Sequence, residues 1–396
     1  MAPKSLFYSL FSTISVALAS SIPQTDYDVI VVGGGPAGLS VLSSLGRMRR
    51  KTVMFDSGEY RNGVTREMHD VLGFDGTPPA QFRGLARQQI SKYNSTSVID
   101  IKIDSITPVE DAAANSSYFR AVDANGTQYT SRKVVLGTGL VDVIPDVPGL
   151  REAWGKGIWW CPWCDGYEHR DEPLGILGGL PDVVGSVMET HTLYSDIIAF
   201  TNGTYTPANE VALAAKYPNW KQQLEAWNVG IDNRSIASIE RLQDGDDHRD
   251  DTGRQYDIFR VHFTDGSSVV PNTFITNYPT AQRSTLPEEL SLVMVDNKID
   301  TTDYTGMRTS LSGVYAVGDC NSDGSTNVPH AMFSGKRAGV YVHVEMSREM
   351  SREESNAAIS KRDFDRRALE KQTERMVGNE MEDLWKRVLE NHHRRS

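Results

Sequence analysis

Cysteine is scarce in this chain. Three occur in 396 residues, Cys161, Cys164 and Cys320, so at most one intramolecular disulfide exists at a time and a disulfide-stapled scaffold is excluded. Excess positive charge is also missing, because 41 lysines and arginines stand against 52 acidic residues for a net charge of −11. That balance argues against nucleic acid as a partner and favours a small neutral or cationic substrate. Long apolar runs are missing too. The stretch at residues 6–19 contains Ser9, Ser12, Thr13 and Ser15, and it is too short and too polar to cross ~30 Å of hydrocarbon, so no stable membrane insertion is expected. With 39% hydrophobic and 23% charged residues, the chain is neither disordered nor collagen-like, and its length suits about two or three domains.

The apolar stretch follows Lys4 and ends in Ala17-Leu18-Ala19, the small-residue pattern that signal peptidase cuts after. Residues 1–19 therefore read as a signal peptide, and the expected location is the secretory pathway, secreted or lumenal. Sequons at Asn94, Asn115, Asn125, Asn202 and Asn233 accord with that route.

Tyr27-Asp28-Val29-Ile30-Val31-Val32 is an apolar run of strand length that leads into Gly33-Gly34-Gly35-Pro36-Ala37-Gly38 and then a helical pattern through Leu39, Val41, Leu42 and Leu45. Gly33 permits the tight turn, Gly35 lets the backbone approach a pyrophosphate, and Gly38 allows close packing of helix on strand. A second strand, Thr52-Val53-Met54-Phe55, ends in Asp56, placed where an acid accepts hydrogen bonds from a ribose. Much later, Gly313-Val314-Tyr315-Ala316-Val317-Gly318-Asp319 reads as another short buried strand.

Between them lies an insert with its own strand-turn-helix start, Leu174-Gly175-Ile176-Leu177-Gly178-Gly179-Leu180-Pro181-Asp182-Val183. A nicotinamide-binding turn wants glycine where Leu180 stands and a small residue where Val183 stands, and Pro181 crowds it further. The next strand, Ile197-Ile198-Ala199-Phe200, is followed by Thr201-Asn202-Gly203, with no arginine for a 2′-phosphate. NADPH binding is doubtful on these grounds. The expected fold is α/β, with two dinucleotide-binding (Rossmann-like) domains, the second inserted into the first, and a helical C-terminal extension. Its boundaries fall at 20–153 and 290–346 for the first domain, 154–289 for the insert and 347–396 for the charged tail. Residues 244–251 read as an exposed loop, and Phe364, Leu369, Met376, Met381, Leu384 and Leu389 recur at helical spacing in the tail.

The chemical centre is Trp160-Cys161-Pro162-Trp163-Cys164-Asp165-Gly166. Zinc would need four ligands, and beyond this pair there is a single further cysteine and no HxxxH, so no metal site is expected. Two thiols at this spacing, with proline between them, favour a reversible disulfide.

In this order and spacing, the GGGPAG turn, the CPWCDG centre and the GVYAVGDC segment resemble the low-molecular-weight thioredoxin reductase family. Within it, residues 55–62, His69, the LGFDG run at 72–76 and the end of the strand at 200–203 are similar to fungal dithiol oxidases of the gliotoxin-enzyme type. The resemblance implies bound FAD, with Gly33, Gly35, Pro36, Ala37, Gly38, Asp56, Asn62, Gly318, Asp319 and Ala331 as its candidate contacts. It assigns Cys164 to the flavin side and Cys161 to exchange with substrate, and it matches Asp165 to the family's acid. His330 is either a base for the incoming thiol or a packed histidine, and His69 and His169 are further candidates. Cys320 reads as a small buried residue. The implied activity is oxidation of a small-molecule dithiol or a protein thiol, with O2 as acceptor, in fungal secondary metabolism, by a homodimer. Two rivals stay open: an NADPH-dependent disulfide reductase, and a flavin oxidase acting on carbon with an idle CxxC.

Overall fold

Tyr27–Val32 lies inside a seven-stranded sheet because both of its faces are apolar. Successive side chains alternate between the faces. Val29 and Val31 pack with the helices Pro36–Arg47 and Val328–Glu354, whereas Ile30 and Val32 pack with Phe55, Phe119, Leu286 and Leu290 on the other side. The chain's computed structural model describes residues 22–111, 116–302, 305–324, 326–354 and 373. Across the sheet the order is Thr96–Ile99, Thr52–Phe55, Tyr27–Val32, Gln128–Leu136, Ser116–Asp123 and Ile103–Asp111, with Val314–Ala316 parallel to the end of Gln128–Leu136. The two helices meet closely because Gly335 and Gly339 face helix Pro36–Arg47. A Cβ on Gly339 would lie 2.7 Å from the Cβ of Ser44.

A second sheet of five parallel strands runs Val229–Asp232, Ile197–Phe200, Leu174–Leu177, Thr273–Thr276 and Ile158–Trp159. An antiparallel set of three, Ile236–Gln243, Ile258–Phe263 and Ser268–Val269, covers one side of it. The two lobes are joined where Leu140–Asp142 pairs antiparallel with Thr280–Gln282. This junction moves the expected boundaries. Leu150 and Ala153 belong to the core of the inserted lobe, and Leu286 belongs to the core of the first. The helix Val328–Glu354 also runs unbroken past 347. Motif positions set the expected boundaries, whereas core membership, which depends on long-range packing, sets the real ones.

The expected signal peptide, Asn115 and the apolar tail positions from Phe364 to Leu389 lie outside the described residues. No helix among the described residues is long and apolar enough to cross a membrane.

Candidate active site

An open cleft lies at the carboxyl ends of the first sheet's strands, where open α/β sheets hold their ligands. Gly33, at φ 110°, starts its floor, and a Cβ there would fall 2.2 Å from the carbonyl oxygen of Gly137. A Cβ on Gly38 would fall 1.9 Å from the carbonyl oxygen of Gly33, so both positions require glycine. Gly35 differs, because no atom lies within 4 Å of where its Cβ would be. The helix Pro36–Arg47 begins there without a side-chain cap, which leaves N–H groups at its positive end for an anion.

Pro36, Ala37, Asn62, Gly318, Asp319 and Ala331, all candidate cofactor contacts from the sequence, line the same cleft. Asp56 does not. Its carboxylate accepts from the Gly58 N–H at 2.9 Å, from the Tyr60 hydroxyl at 2.6 Å and from Arg87. The expected ribose acceptor is thus already engaged, and its neighbours Ser57 and Glu59 face the opening instead. Arg87 comes from the helix Pro79–Ile90, a long-range partner that no local pattern announces.

Arg61 is a cleft residue that the sequence motifs did not single out. It bonds Asp142 at 2.7 Å and Asp319 at 3.0 Å, and its guanidinium lies 5.3 Å from the Trp160 ring centre.

Cys161 and Cys164 form a disulfide, with Cα atoms 5.2 Å apart. Cys161 stands just before a five-residue helical turn, Pro162–Gly166, and its carbonyl accepts from the N–H groups of Cys164 and Asp165. Cys164 and Asp165 belong to the cleft wall, whereas Cys161 does not. Burial, reinforced by the charge of Glu168 and opposed by Arg66, pushes the Asp165 carboxyl up to about 8. At neutral pH it therefore carries its proton beside Cys164. Trp163 and Tyr167, four residues apart on this turn and its continuation, are 66% and 60% exposed.

The histidines separate. His69 lines the cleft with Nδ1 3.3 Å from Glu168 Oε1. His169 is buried, with Nδ1 2.9 Å from the Asp165 carbonyl oxygen and Nε2 3.1 Å from Asp257 Oδ2. His330 Nε2 lies 2.7 Å from Asp323 Oδ1, and the nearby cleft wall is made by Asn327, Val328 and Ala331. That placement is of a carboxylate-bonded histidine outside the cleft wall. Cys320 is fully buried as expected, and burial pushes its thiol up to about 11.

In the inserted lobe the glycine turn is filled. The Leu180 side chain is wholly buried, its N–H donates to Thr204 Oγ1 at 3.0 Å, and Asp182 stands immediately before the helix Val183–Thr190. The loop at 244–251 is exposed over 246–249, as expected, and also meets the first lobe through Asp244 with Arg66 and Arg249 with Glu67.

Residues 27–181 match the pyridine nucleotide-disulphide oxidoreductase family. The chain is 52% identical to a probable thioredoxin reductase of Arthroderma benhamiae, over 92% of each chain. It is 31% identical to thioredoxin reductase tcpT of Claviceps purpurea, covering 83% of this chain and 97% of that one. Among solved structures, HlmI superposes with a TM-score of 0.71 at 27% identity, over 84% of this chain and 96% of that one. A putative thioredoxin reductase of Bacillus anthracis superposes at 0.68 with 23% identity, over 82% of this chain and 99% of that one, and shows the fold. The family is one of FAD-binding flavoproteins, and the residues present fit FAD: the open Gly35 position and uncapped helix would hold the pyrophosphate, and Arg61 and Asp319 would border the rest. The chain belongs to the thioredoxin reductase family of FAD-dependent disulfide oxidoreductases.

Proposed function

We propose that this enzyme is an FAD-dependent dithiol oxidase that closes a disulfide on a small-molecule dithiol or a protein thiol, with O2 as the electron acceptor. The observation that carries the reading is the filled turn of the inserted lobe. Leu180 occupies the core where a third glycine would bring the backbone to a pyrophosphate, and the acidic Asp182 precedes the helix whose N-terminus would receive phosphate. The same cysteines could serve an NADPH-dependent reductase. That direction needs a nicotinamide site, and the turn opposes one.

The chain's own steps follow from the two cysteines. A substrate thiolate attacks Cys161 Sγ; the Cys161–Cys164 bond breaks and Cys164 leaves as a thiolate beside the cleft. The second substrate thiolate then attacks the substrate sulfur of the mixed disulfide, so the substrate disulfide forms and Cys161 leaves as a thiolate. Asp165, which keeps its proton at neutral pH and lines the cleft with Cys164, would exchange a proton with that sulfur. FAD, held at the Gly35 turn and the start of the helix Pro36–Arg47, would supply the two-electron acceptor that returns the Cys161–Cys164 dithiol to its disulfide, and the overall balance is one substrate dithiol and one O2 giving one substrate disulfide and one H2O2.

Anaerobic mixing of the FAD-loaded enzyme with a panel of dithiols and, separately, with NADPH tests this. Dithiols should bleach the flavin and NADPH should not. Rapid bleaching by micromolar NADPH overturns the reading in favour of the reductase.

A further inference from the structure

Cys164 and Asp165 come from the inserted lobe, and most of the cleft wall comes from the other, so the site exists only while the lobes stay in register. Their covalent connection is a pair of three-residue strands, Leu140–Asp142 with Thr280–Gln282. A two-stranded ribbon is marginal by itself and does not fix an orientation.

Arg66 crosses between the lobes. Its Nη1 donates to Gln255 Oε1 at 2.7 Å and to Asp257 Oδ2 at 2.9 Å, and its Nη2 donates to Asp257 Oδ1 at 3.0 Å and to Asp244. The Asp257 side chain is fully buried and that of Arg66 nearly so. Asp257 sits in a built socket. The Gly245 N–H donates to Oδ1 at 3.0 Å, and a Cβ on Gly157 or Gly245 would lie 2.6 or 2.5 Å from the carboxyl group. Burial disfavours this charge, yet hydrogen bonds from His169 and Arg66 hold the carboxyl well below the usual carboxylate range. The Oδ2 that accepts from Arg66 also meets Nε2 of His169, and the other nitrogen of His169 meets the carbonyl of Asp165, the residue after Cys164.

We propose that Arg66 is a positioning residue for the redox dithiol: acting through Asp257 and His169 it holds the Asp165 peptide, and Cys164 with it, against the cleft. This rests on the dithiol reading given above. The more exposed Arg249–Glu67 pair, 2.9 Å apart, also bridges the lobes, but exposed pairs contribute little. The Arg66–Asp257 pair is different, because both side chains are withdrawn from water and the guanidinium fork meets both carboxylate oxygens, with Arg241 as a further donor to Oδ1. Lysine offers a point charge in place of the fork.

Three measurements separate positioning from folding. In the apoprotein, Arg66→Met should speed amide hydrogen exchange across residues 161–169 about tenfold or more, while the strand Tyr27–Val32 stays protected. In the FAD-loaded protein the same change should slow anaerobic flavin reduction by dithiothreitol about tenfold to hundredfold, a misplacement effect. Trapping of Cys161 by an aromatic disulfide reagent in the reduced protein should keep the parent rate, since that sulfur lies outside the cleft wall. Asp257→Asn, which preserves side-chain shape, should move exchange and flavin reduction in the same directions and leave the trapping rate unchanged, and Arg66→Lys should not restore the parent behaviour. Parent-like exchange together with parent-rate flavin reduction in either folded variant overturns the proposal. If Cys161→Ser and Cys164→Ser both retain dithiol turnover, the underlying reading fails instead, and the exchange experiment still judges the fastening.

Discussion

The N–H of Leu180 donates to the hydroxyl of Thr204 at 3.0 Å, tying the first turn after one strand to the loop after the next. With its side chain wholly buried among Val183, Val184 and Leu213, Leu180 is a core residue occupying a cofactor-turn position. Leu180→Ala should destabilise the enzyme by about 2–5 kcal/mol without conferring reduction by NADPH. Denaturant unfolding measures the first effect. A variant that stays as stable as the parent and gains NADPH-driven flavin bleaching shows that the turn was never core.

The two cysteines should behave differently, because only Cys164 reaches the cleft wall. In the FAD-loaded Cys161→Ser enzyme, Cys164 remains as a free thiolate, and a long-wavelength charge-transfer band should appear at neutral pH. Cys164→Ser should lack the band while Cys161 still forms a mixed disulfide with an added reagent. Both variants should lose dithiol-dependent oxygen uptake. A band in Cys164→Ser alone would reverse the assignment, and oxygen uptake at the parent rate in both variants would exclude the thiol mechanism.

Asp165 supplies a pH dependence whose sign follows from its raised carboxyl. The folded chain keeps the proton up to about 8, whereas the unfolded chain releases it near 3.8. Between those values the folded state binds more protons than the unfolded state, so stability falls as pH rises. The loss is complete above about 8. Asp165→Asn removes it, so the difference in Tm between variant and parent should widen in favour of the variant from pH 4 to pH 8. The same variant should lose the alkaline limb of the activity profile near pH 8. A Tm difference that stays constant with pH would place the carboxyl at its ordinary value.

Arg61 bridges Asp142 and Asp319 from a site where its side chain is 14% exposed and that of Asp142 is 7% exposed. Arg61→Met leaves Asp142 without its partner, and the expected cost is about 3–5 kcal/mol. Replacing both, Arg61→Met with Asp142→Leu, should recover most of that stability. Equal loss in the single and double variants, read from chemical denaturation, would show that packing of the arginine stem rather than charge pairing carries the effect.

Much of the site was legible because the features concerned are contiguous. A strand, a glycine turn and a helix are specified by neighbouring residues, and Gly33 and Gly38 are required by carbonyl oxygens their Cβ atoms would strike. Cys161 and Cys164, three positions apart, needed only one helical turn to meet. Asp56 stood at the right place in the motif, yet its carboxylate was captured by Arg87, thirty-one residues away. Arg66 and Asp257 are 191 residues apart, and neither sits in a pattern that predicts the other.

The amino-acid order by itself determined the two dinucleotide-type units, the redox cysteine pair and the filled turn at Leu180, since each is a local matter of backbone freedom, spacing and side-chain size. Only the tertiary structure decided where one lobe ends, and that His330 bonds Asp323 while His169 bonds Asp257. Those outcomes depend on which distant charges are buried together. A buried carboxylate takes whichever donors the fold brings within about 3 Å, and local sequence carries no record of that choice.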